Sequence, residues 1–177
     1  VSAGTLHGWG LNDYGVLGGQ FNLAASTPQA LSGVSDVVSA VTAESTTLAL
    51  RADGTLWNWP GVLTWTASGG AISTPRQIPG LSNVWRVVQG PDSTYVHERL
   101  DLLFIKTDGT VWTLDATGTI GTSPDGFVVQ TFSFTSRQIT GLGAVDNLAC
   151  QSDCLVLRKD GSVALWSNAT IPSGGLS

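Results

Sequence analysis

The chain has 177 residues, of which 13 are acidic and 8 are basic, so its formal net charge is −5. Hydrophobic residues make up 42% of the sequence and charged residues only 12%, which excludes an intrinsically disordered chain. The few lysines and arginines are scattered, so we expect neither nucleic acid nor an anionic membrane surface as a partner. Apolar runs such as Leu102–Ile105 are far shorter than the roughly 20 residues of a membrane helix, so we expect no membrane insertion.

A short motif recurs four times along the chain. It reads Gly-Thr-Leu-His-Gly-Trp from Gly4, Gly-Thr-Leu-Trp-Asn-Trp from Gly54, Gly-Thr-Val-Trp-Thr-Leu from Gly109 and Gly-Ser-Val-Ala-Leu-Trp from Gly161. The glycines stand 50, 55 and 52 residues apart, and an aspartate precedes the last three of them. A second motif, Thr-Pro-Gln-Ala-Leu at 27–31 with echoes at 74–78 and 135–139, keeps the same phase. Repeats of about 50 residues are typical of propeller blades.

Each repeat predicts four short strands. The first is an apolar run, at Val37–Val41, Val84–Val88 and Val145–Ala149, and the second is an apolar stretch before the Asp-Gly pair. Asp-Gly favours a tight hairpin turn, because both residues tolerate a positive φ. The third strand carries the recurring tryptophans, and the fourth lies near the Thr-Pro motif, where proline suits an edge strand. We therefore predict an all-β fold, a β-propeller-like array of four-stranded antiparallel blades in a partial or compact ring.

Residues 1–177 are interpreted as a single repeat domain. Cutting at the Asp-Gly turns gives units of about 5–54, 55–109 and 110–161, with a tail at 162–177. The first part supplies only third and fourth strands, and the last part only first to third strands. This predicts a fragment of a longer propeller, a ring completed by another copy, or a compact four-bladed closure. Because unpaired strand edges are costly, we expect residues 1–20 and 145–177 to pair with each other or with another chain.

The repeats resemble those of the regulator of chromosome condensation family. The family pattern places Asp-Gly-Thr-Val, an aromatic residue and Trp-Gly before Asn-x-x-Gly-x-Leu-Gly, and residues 4–18 match it almost throughout. The other three copies keep the Asp-Gly hairpin and lose the Asn-x-x-Gly-x-Leu-Gly segment. The resemblance implies a propeller of roughly seven blades, more than this chain supplies. It also implies relatives among bacterial secreted proteins and phage structural proteins.

The loops that differ among the repeats are expected at one end of the blades, opposite the Asp-Gly turns. They are residues 11–23, 60–73, 90–99 and 115–134. Loops on a rigid scaffold often carry function, and exposed aromatic side chains anchor partners well. The candidate binding residues in these loops are Tyr14, Trp65, Tyr95, His97, Phe127 and Phe132. The alternative is that most of these aromatic side chains cover the ends of the core, as the strand tryptophans pack between blades.

The sequence carries no catalytic or metal-binding motif, so we predict no enzyme, no cofactor and no metal site. The recurring Asp53, Asp108 and Asp160 are explained by turn chemistry. Cys150 and Cys154 lack the further ligands of a zinc site. They either close a disulfide across a hairpin turn, which would fit an oxidising compartment, or act as small apolar residues in a strand pair.

Together these patterns predict a non-catalytic recognition or adhesion module at an extracellular or virion surface, binding a protein or a glycan through the variable loops. Low charge, abundant Gly, Ser and Thr and the absence of methionine favour this location. The first alternative is a structural assembly subunit of a phage particle or surface filament, which self-associates through its terminal strands. The second is a protein-inhibitor propeller, a role known for some members of the similar family.

Overall fold

The computed structural model describes residues 4–12, 17, 24–43, 46–60, 63–64, 74–91, 99–122 and 128–166. Within these residues all regular structure is β, and no helix long and apolar enough to cross a membrane occurs among them. The strands are β1 (His7–Gly10), β2 (Ala25–Ala30), β3 (Val37–Ala43), β4 (Thr46–Arg51), β5 (Leu56–Pro60), β6 (Leu63–Thr64), β7 (Arg76–Gln77), β8 (Val84–Gln89), β9 (Arg99–Lys106), β10 (Val111–Thr122), β11 (Val128–Ile139), β12 (Val145–Cys150), β13 (Cys154–Arg158) and β14 (Val163–Trp166).

The chain divides into two compact units, and the first comprises Val1–Ile78 and Thr117–Ser133. It contains a four-stranded antiparallel blade in the order β3-β4-β5-β7 and a two-stranded sheet of β1 and β2. In the complete blade, the Ile78 N–H donates to the Leu56 carbonyl at 2.8 Å, and the Leu31 N–H donates to the Leu6 carbonyl at the same distance. This matching bond shows that β1 and β2 are the third and fourth strands of a blade. The short β6 pairs with Val129 and Gln130 of β11.

The second unit comprises Pro79–Ala116 and Phe134–Ser177. One blade has the order β8-β9-β10-β11 within a five-stranded sheet whose edge strand is β6, and the last blade consists of β12, β13 and β14. The described strand pairs are antiparallel. The predicted all-β fold of four-stranded antiparallel blades is confirmed.

The three Asp-Gly turns share one geometry. Their glycines have φ values of 77°, 88° and 85° at Gly54, Gly109 and Gly161. Each glycine N–H donates to the carbonyl three residues earlier at 2.9 Å, and each aspartate Oδ1 accepts the N–H two residues later at 2.8 to 2.9 Å. Because the aspartate and the glycine each meet a separate need of the turn, the pair marks the hairpin between second and third strands in these three repeats.

The prediction of a loop over residues 115–134 is wrong in part. β10 extends to Thr122 and β11 begins at Val128, so Phe132 lies in a strand. The sequence is rich in β-branched and aromatic residues there, which favour strands over an irregular loop. The guanidinium of Arg137 on β11 donates to both carboxylate oxygens of Asp115 on β10, at 2.7 and 3.1 Å. This bidentate ion pair ties the two strands together beyond the point where the sequence predicts the third strand to end.

In each unit, core side chains of one blade pack against those of the next. In the first unit, Trp59 and Ala49 pack with Leu31 of the preceding blade. In the second unit, Leu103 and Val111 pack with a group of side chains from the last blade, which are Val145, Leu148, Cys154, Val156 and Trp166. Fully burying one such side chain stabilises the fold by about 1.5–3 kcal/mol. Blade-to-blade packing is therefore a main source of stability within each unit.

A disulfide joins Cys150 to Cys154 across the turn between β12 and β13. The two residues are direct partners in the strand pair, and their Cα atoms lie 4.1 Å apart. The sequence left a disulfide and two separate apolar side chains as equal alternatives, and the structure has the disulfide.

We expect thiol titration of the unfolded, unreduced chain to detect no free thiol. Reduction should lower the free energy of unfolding by about 2 kcal/mol, because the bond closes a short loop and removes conformational entropy from the unfolded chain. Urea unfolding with and without reductant measures this loss. The double variant Cys150→Ser, Cys154→Ser is the control, since its stability should not respond to reductant. Detection of two free thiols would show that the bridge does not form.

Candidate interaction surfaces

The two ends of the blades differ in how much their connections vary. Four residues separate the second strand from the third in each of the three hairpins, at 52–55, 107–110 and 159–162. At the opposite end, two, nine and three residues connect the first strand to the second, at 44–45, 90–98 and 151–153. We call these the turn end and the loop end. The Asp-Gly hairpins thus keep one length, whereas the connections between first and second strands differ in length from blade to blade.

The candidate binding residues belong to the loop end. Tyr14, Trp65, Tyr95, His97 and Phe127 lie outside the described residues, as does the side chain of Phe132. Their role in binding stays a prediction. Among the described residues of this end, Leu11 directly follows β1 and is 73% exposed. An apolar side chain therefore reaches solvent at the start of the first variable loop.

The recurring aspartates are committed to the turns. Hydrogen bonds from the Thr55 hydroxyl and backbone lower the pKa of Asp53, and Arg51 lowers it further. Thr110 lowers the pKa of Asp108 in the same way, and Ser162 that of Asp160. Carboxylates held ionised by local hydrogen bonds are poor proton donors at neutral pH. In the described part of the chain, no group of three or more His, Cys, Asp and Glu side chains is placed to hold a metal ion.

These lowered pKa values predict a loss of stability in acid. Unfolded aspartate titrates near 3.8, so the contribution is fully present above that pH and disappears as the pH falls through the lower folded value. The triple variant Asp53→Asn, Asp108→Asn, Asp160→Asn keeps a carbonyl acceptor in each turn and removes the titration. Between about pH 5 and pH 2, it should lose less stability than the natural chain in urea unfolding. An equal loss in both proteins would contradict the assignment.

The tryptophans next to two of the turns are fixed by the same hairpins. The Trp57 indole N–H donates to the Thr55 hydroxyl at 3.2 Å, and the Trp112 indole N–H donates to the Thr110 hydroxyl at 2.9 Å. A cation lies near each ring, with Arg51 at 6.0 Å from the Trp57 centroid and Lys106 at 4.3 Å from that of Trp112. Because each indole N–H is bonded within its own hairpin and a cation lies near each ring, we interpret these tryptophans as part of the blade rather than as a stacking platform.

The last blade exposes apolar side chains where another blade buries them. Leu155 in β13 is equivalent to Leu103 in β9, and Val163 in β14 is equivalent to Val111 in β10. Leu103 and Val111 are buried, whereas Leu155 is 53% and Val163 64% exposed. Leu165, the cross-strand partner of Leu155, is 63% exposed. Leu155, Val163 and Leu165 lie on one side of the sheet, which we call the last-blade face.

The first blade shows the same contrast on its own third strand. Trp9 in β1 is equivalent to Trp59 in β5 and to Trp166 in β14, counted from the glycine of the repeat. Trp59 and Trp166 are buried, each in a cluster formed with the preceding blade. Trp9 is 63% exposed. We call the side of the sheet that carries Trp9 the first-blade face. The sequence predicts exposed sheet faces and edges in a partial propeller, but not which side chains those faces carry.

Comparison with known proteins identifies the fold. No protein-family model matches the sequence, and no curated protein sequence matches it. The structure is similar to yeast RCC1 (Prp20) in its complex with Kap60, with a TM-score of 0.55, 17% identity and coverage of 92% of this chain and 39% of that chain. The structure is also similar to that of Prp20p from Saccharomyces cerevisiae, which is described with its binding properties to Gsp1p and histones. The TM-score is 0.54 and the identity 17%, and the match covers 96% of this chain and 42% of that chain.

A third similar structure is human WBSCR16, with a TM-score of 0.50, 20% identity and coverage of 88% of this chain and 40% of that one. The chain thus spans about two fifths of the length of each of these proteins. The similarity extends over nearly all of this chain and rests on the blade architecture rather than on sequence identity. The resemblance seen in the repeats is confirmed, and the chain has an RCC1-like repeat fold.

Proposed function

We propose that this chain is a non-catalytic protein-interaction module that binds its partner through the loop end of the blades. The contrast between the two blade ends carries the proposal: the Asp-Gly hairpins repeat with constant length, and the connections between first and second strands differ in length in every blade. A rigid scaffold with variable loops at one end suits recognition, because the loops change the binding surface without disturbing the core.

Three further observations support this role. The recurring aspartates are used by the turns, so they are poorly suited to acid-base catalysis. The structurally similar Prp20 is described in a complex with Kap60 and as binding Gsp1p and histones, so this fold serves protein binding there. The net charge of −5 disfavours nucleic acid and is compatible with a protein surface.

We further propose that the chain acts at an extracellular or virion surface. The disulfide between Cys150 and Cys154 supports this location, because such bonds form and persist in oxidising compartments. The low content of charged residues, 12% of the chain, is consistent with it.

Photo-crosslinking tests the loop end as the binding surface. A photoreactive amino acid is placed at Trp65 or Tyr95, and as the control at Trp85, which is exposed near the turn end of β8. The full chain is then irradiated with surface proteins of the cells or virions that carry it. We expect both loop positions to give the same protein adduct and the control to give none. An adduct from the control alone would refute the proposal, and so would binding on a glycan array without any protein adduct.

Once a partner is identified, its affinity gives a quantitative check. Trp65→Ala and Tyr95→Ala should each weaken binding by about 2 kcal/mol, near thirtyfold, if these side chains are anchors of the interface. Trp85→Ala is the matched aromatic control and should leave the dissociation constant unchanged. Equal effects of all three substitutions would show a general loss of folding instead of a loss of contacts.

The second candidate function is that of an assembly subunit. One observation favours it: the first and last blades expose apolar side chains at positions that are buried in other blades. Contiguous exposed apolar surface marks sites of protein association. This role is compatible with recognition through the loop end, since the two surfaces use different residues.

A further inference from the structure

We propose that the outer edge of β11, at residues 135–138, is a second binding site, which takes an extended segment of a partner protein as an added strand. The site uses no residue of the loop end, so this inference goes beyond the function proposed above. An added strand is recognised mainly through its backbone N–H and C=O groups. A protein segment in extended conformation is the ligand that supplies both groups in the required alternation.

The fourth strands share a repeat position that is proline in two blades. The motif reads Thr-Pro-Gln-Ala-Leu at 27–31, Thr-Pro-Arg-Gln-Ile at 74–78 and Thr-Ser-Arg-Gln-Ile at 135–139. Its second residue is Pro28 in β2, Pro75 directly before β7 and Ser136 in β11. A Cβ added at Gly33 would lie 2.7 Å from Pro75 Cγ. One added at Gly80 would lie the same 2.7 Å from Ser136 Oγ, so Ser136 occupies the place of a proline.

The backbone N–H at this position points away from the third strand. In the complete blade, the Ile78 N–H donates to the Leu56 carbonyl of the third strand at 2.8 Å. Alternate residues of an antiparallel pair point their N–H groups toward the neighbouring strand and away from it. Pro75 lies three positions before Ile78 and therefore faces outward, as do Ser136 and Gln138 by the same count in β11. Proline has no N–H to offer an added strand, whereas Ser136 has one.

The edge of β11 also lacks the other features that protect edge strands. Proteins commonly protect an edge by keeping its strand short, by placing a proline there or by exposing a charge. β11 has 12 residues, against two in β7, and contains no proline. Its one charged residue, Arg137, is held by Asp115. Such an edge readily accepts another strand, and the contrast with the proline-bearing edges favours a binding role.

A strand already pairs on this edge of β11 at another place. β6 pairs antiparallel with Val129 and Gln130, and β6 and β10 lie on opposite sides of β11. β6 therefore lies on the same edge as the outward-facing N–H of Ser136. Among the described strands, none pairs with this edge at residues 135–138. The edge thus accepts an extended segment at one place and continues beyond it with the same backbone pattern.

Hydrogen exchange of single backbone amides tests whether the edge is open. In the natural full chain, followed by NMR, the amides of Ser136 and Gln138 should exchange about tenfold or more faster than those of Arg137 and Ile139. The reason is that the first two N–H groups face outward, whereas the other two face β10. Slow exchange at Ser136 and Gln138 would show that the edge is already covered, and the inference would be wrong.

Peptide selection tests the binding site. A phage-displayed library of random peptides is selected on the full chain, and the selected peptides are then measured on variants. Ser136→Pro removes the outward N–H, so it should weaken binding by about tenfold or more. The matched control Ser136→Ala keeps the N–H and should change the affinity by less than about twofold. Because the exposed Thr135 and Gln138 are uncharged, the affinity should depend little on salt.

Hydrogen exchange with a selected peptide bound identifies the binding mode. Saturation should slow the amides of Ser136 and Gln138 by about tenfold or more and leave those of Arg137 and Ile139 unchanged. This alternation distinguishes an added strand from a peptide that packs on side chains. The measurement uses the natural chain, so it decides the question even if Ser136→Pro does not fold.

Three results would overturn the inference. They are a library that yields no binding peptide, selected peptides that bind Ser136→Pro as tightly as the natural chain, and a bound peptide that leaves the Ser136 and Gln138 amides unprotected. The crosslinking test of the loop end uses other residues. Failure at the edge of β11 therefore leaves the proposed function standing, and failure at the loop end leaves this site standing.

Discussion

Replacement of Leu103 by alanine should lower the free energy of unfolding by about 2–5 kcal/mol, because it removes a buried side chain from the hydrophobic cluster of the second unit. Leu103 has no exposed surface and packs in the cluster between two blades. The substitution loses apolar burial and leaves a cavity that the close-packed neighbours fill only in part. Urea unfolding followed by tryptophan fluorescence measures the change.

Leu155→Ala is the matched control, since Leu155 occupies the same repeat position and is 53% exposed. The substitution should cost about 1 kcal/mol or less, because about half of the side chain already contacts water. Equal losses from the two substitutions would show that the last-blade face is covered within a single copy.

Replacement of Gly109 by alanine should destabilise the chain by more than replacement of Gly161, the glycine of the other Asp-Gly turn in the second unit. Gly109 has a φ of 88°, which costs an alanine about 1–2 kcal/mol. An added Cβ would also lie 3.0 Å from the Val145 nitrogen and 3.1 Å from the Ala144 Cα. Those atoms are backbone and cannot rotate away, so overpacking adds a further 1–3 kcal/mol or so.

Gly161→Ala separates the two contributions. Gly161 has nearly the same φ, 85°, and an added Cβ would meet no atom within 4 Å. It should therefore show only the conformational cost of about 1–2 kcal/mol. Urea unfolding of both variants gives the difference, which measures how tightly the turn of one blade is held against the first strand of the next. If the two variants lose the same stability, the close approach of Gly109 to Val145 does not exist in solution.

The turns and strands could be predicted because local chemistry determines them. Asp108 accepts the Thr110 N–H while Gly109 adopts a positive φ, and both needs are visible in three consecutive letters of the sequence. The first strands likewise match their apolar runs, as for Val84–Gln89, which was predicted at Val84–Val88. Repetition of these signals at a spacing of about 50 residues then predicts the blade.

Which side chains lie on the exposed faces could not be predicted, because the hydrophobic pattern does not record what lies next to a strand. Leu155 and Leu103 are the same residue at the same repeat position, and only the presence of a neighbouring blade distinguishes them. The length of β10 was missed for a related reason. The sequence predicts a loop from Asp115 onward. Its ion-pair partner Arg137 lies 22 residues away, so a pattern of neighbouring residues cannot indicate that the two strands continue side by side.

The constant length of the Asp-Gly hairpins separates the part of each blade that forms the fold from the part that varies, which is useful for protein design. The Asp-Gly hydrogen bonds of each turn join residues within four positions of one another, and the first turn residue donates to the carbonyl of the residue just before the first strand of its blade. These bonds therefore involve no residue of the loop end. Sequences inserted or exchanged between first and second strands therefore leave the residues that form the Asp-Gly hairpin unchanged. The sequence between first and second strands can therefore change the binding specificity of a blade while the arrangement of its strands stays the same.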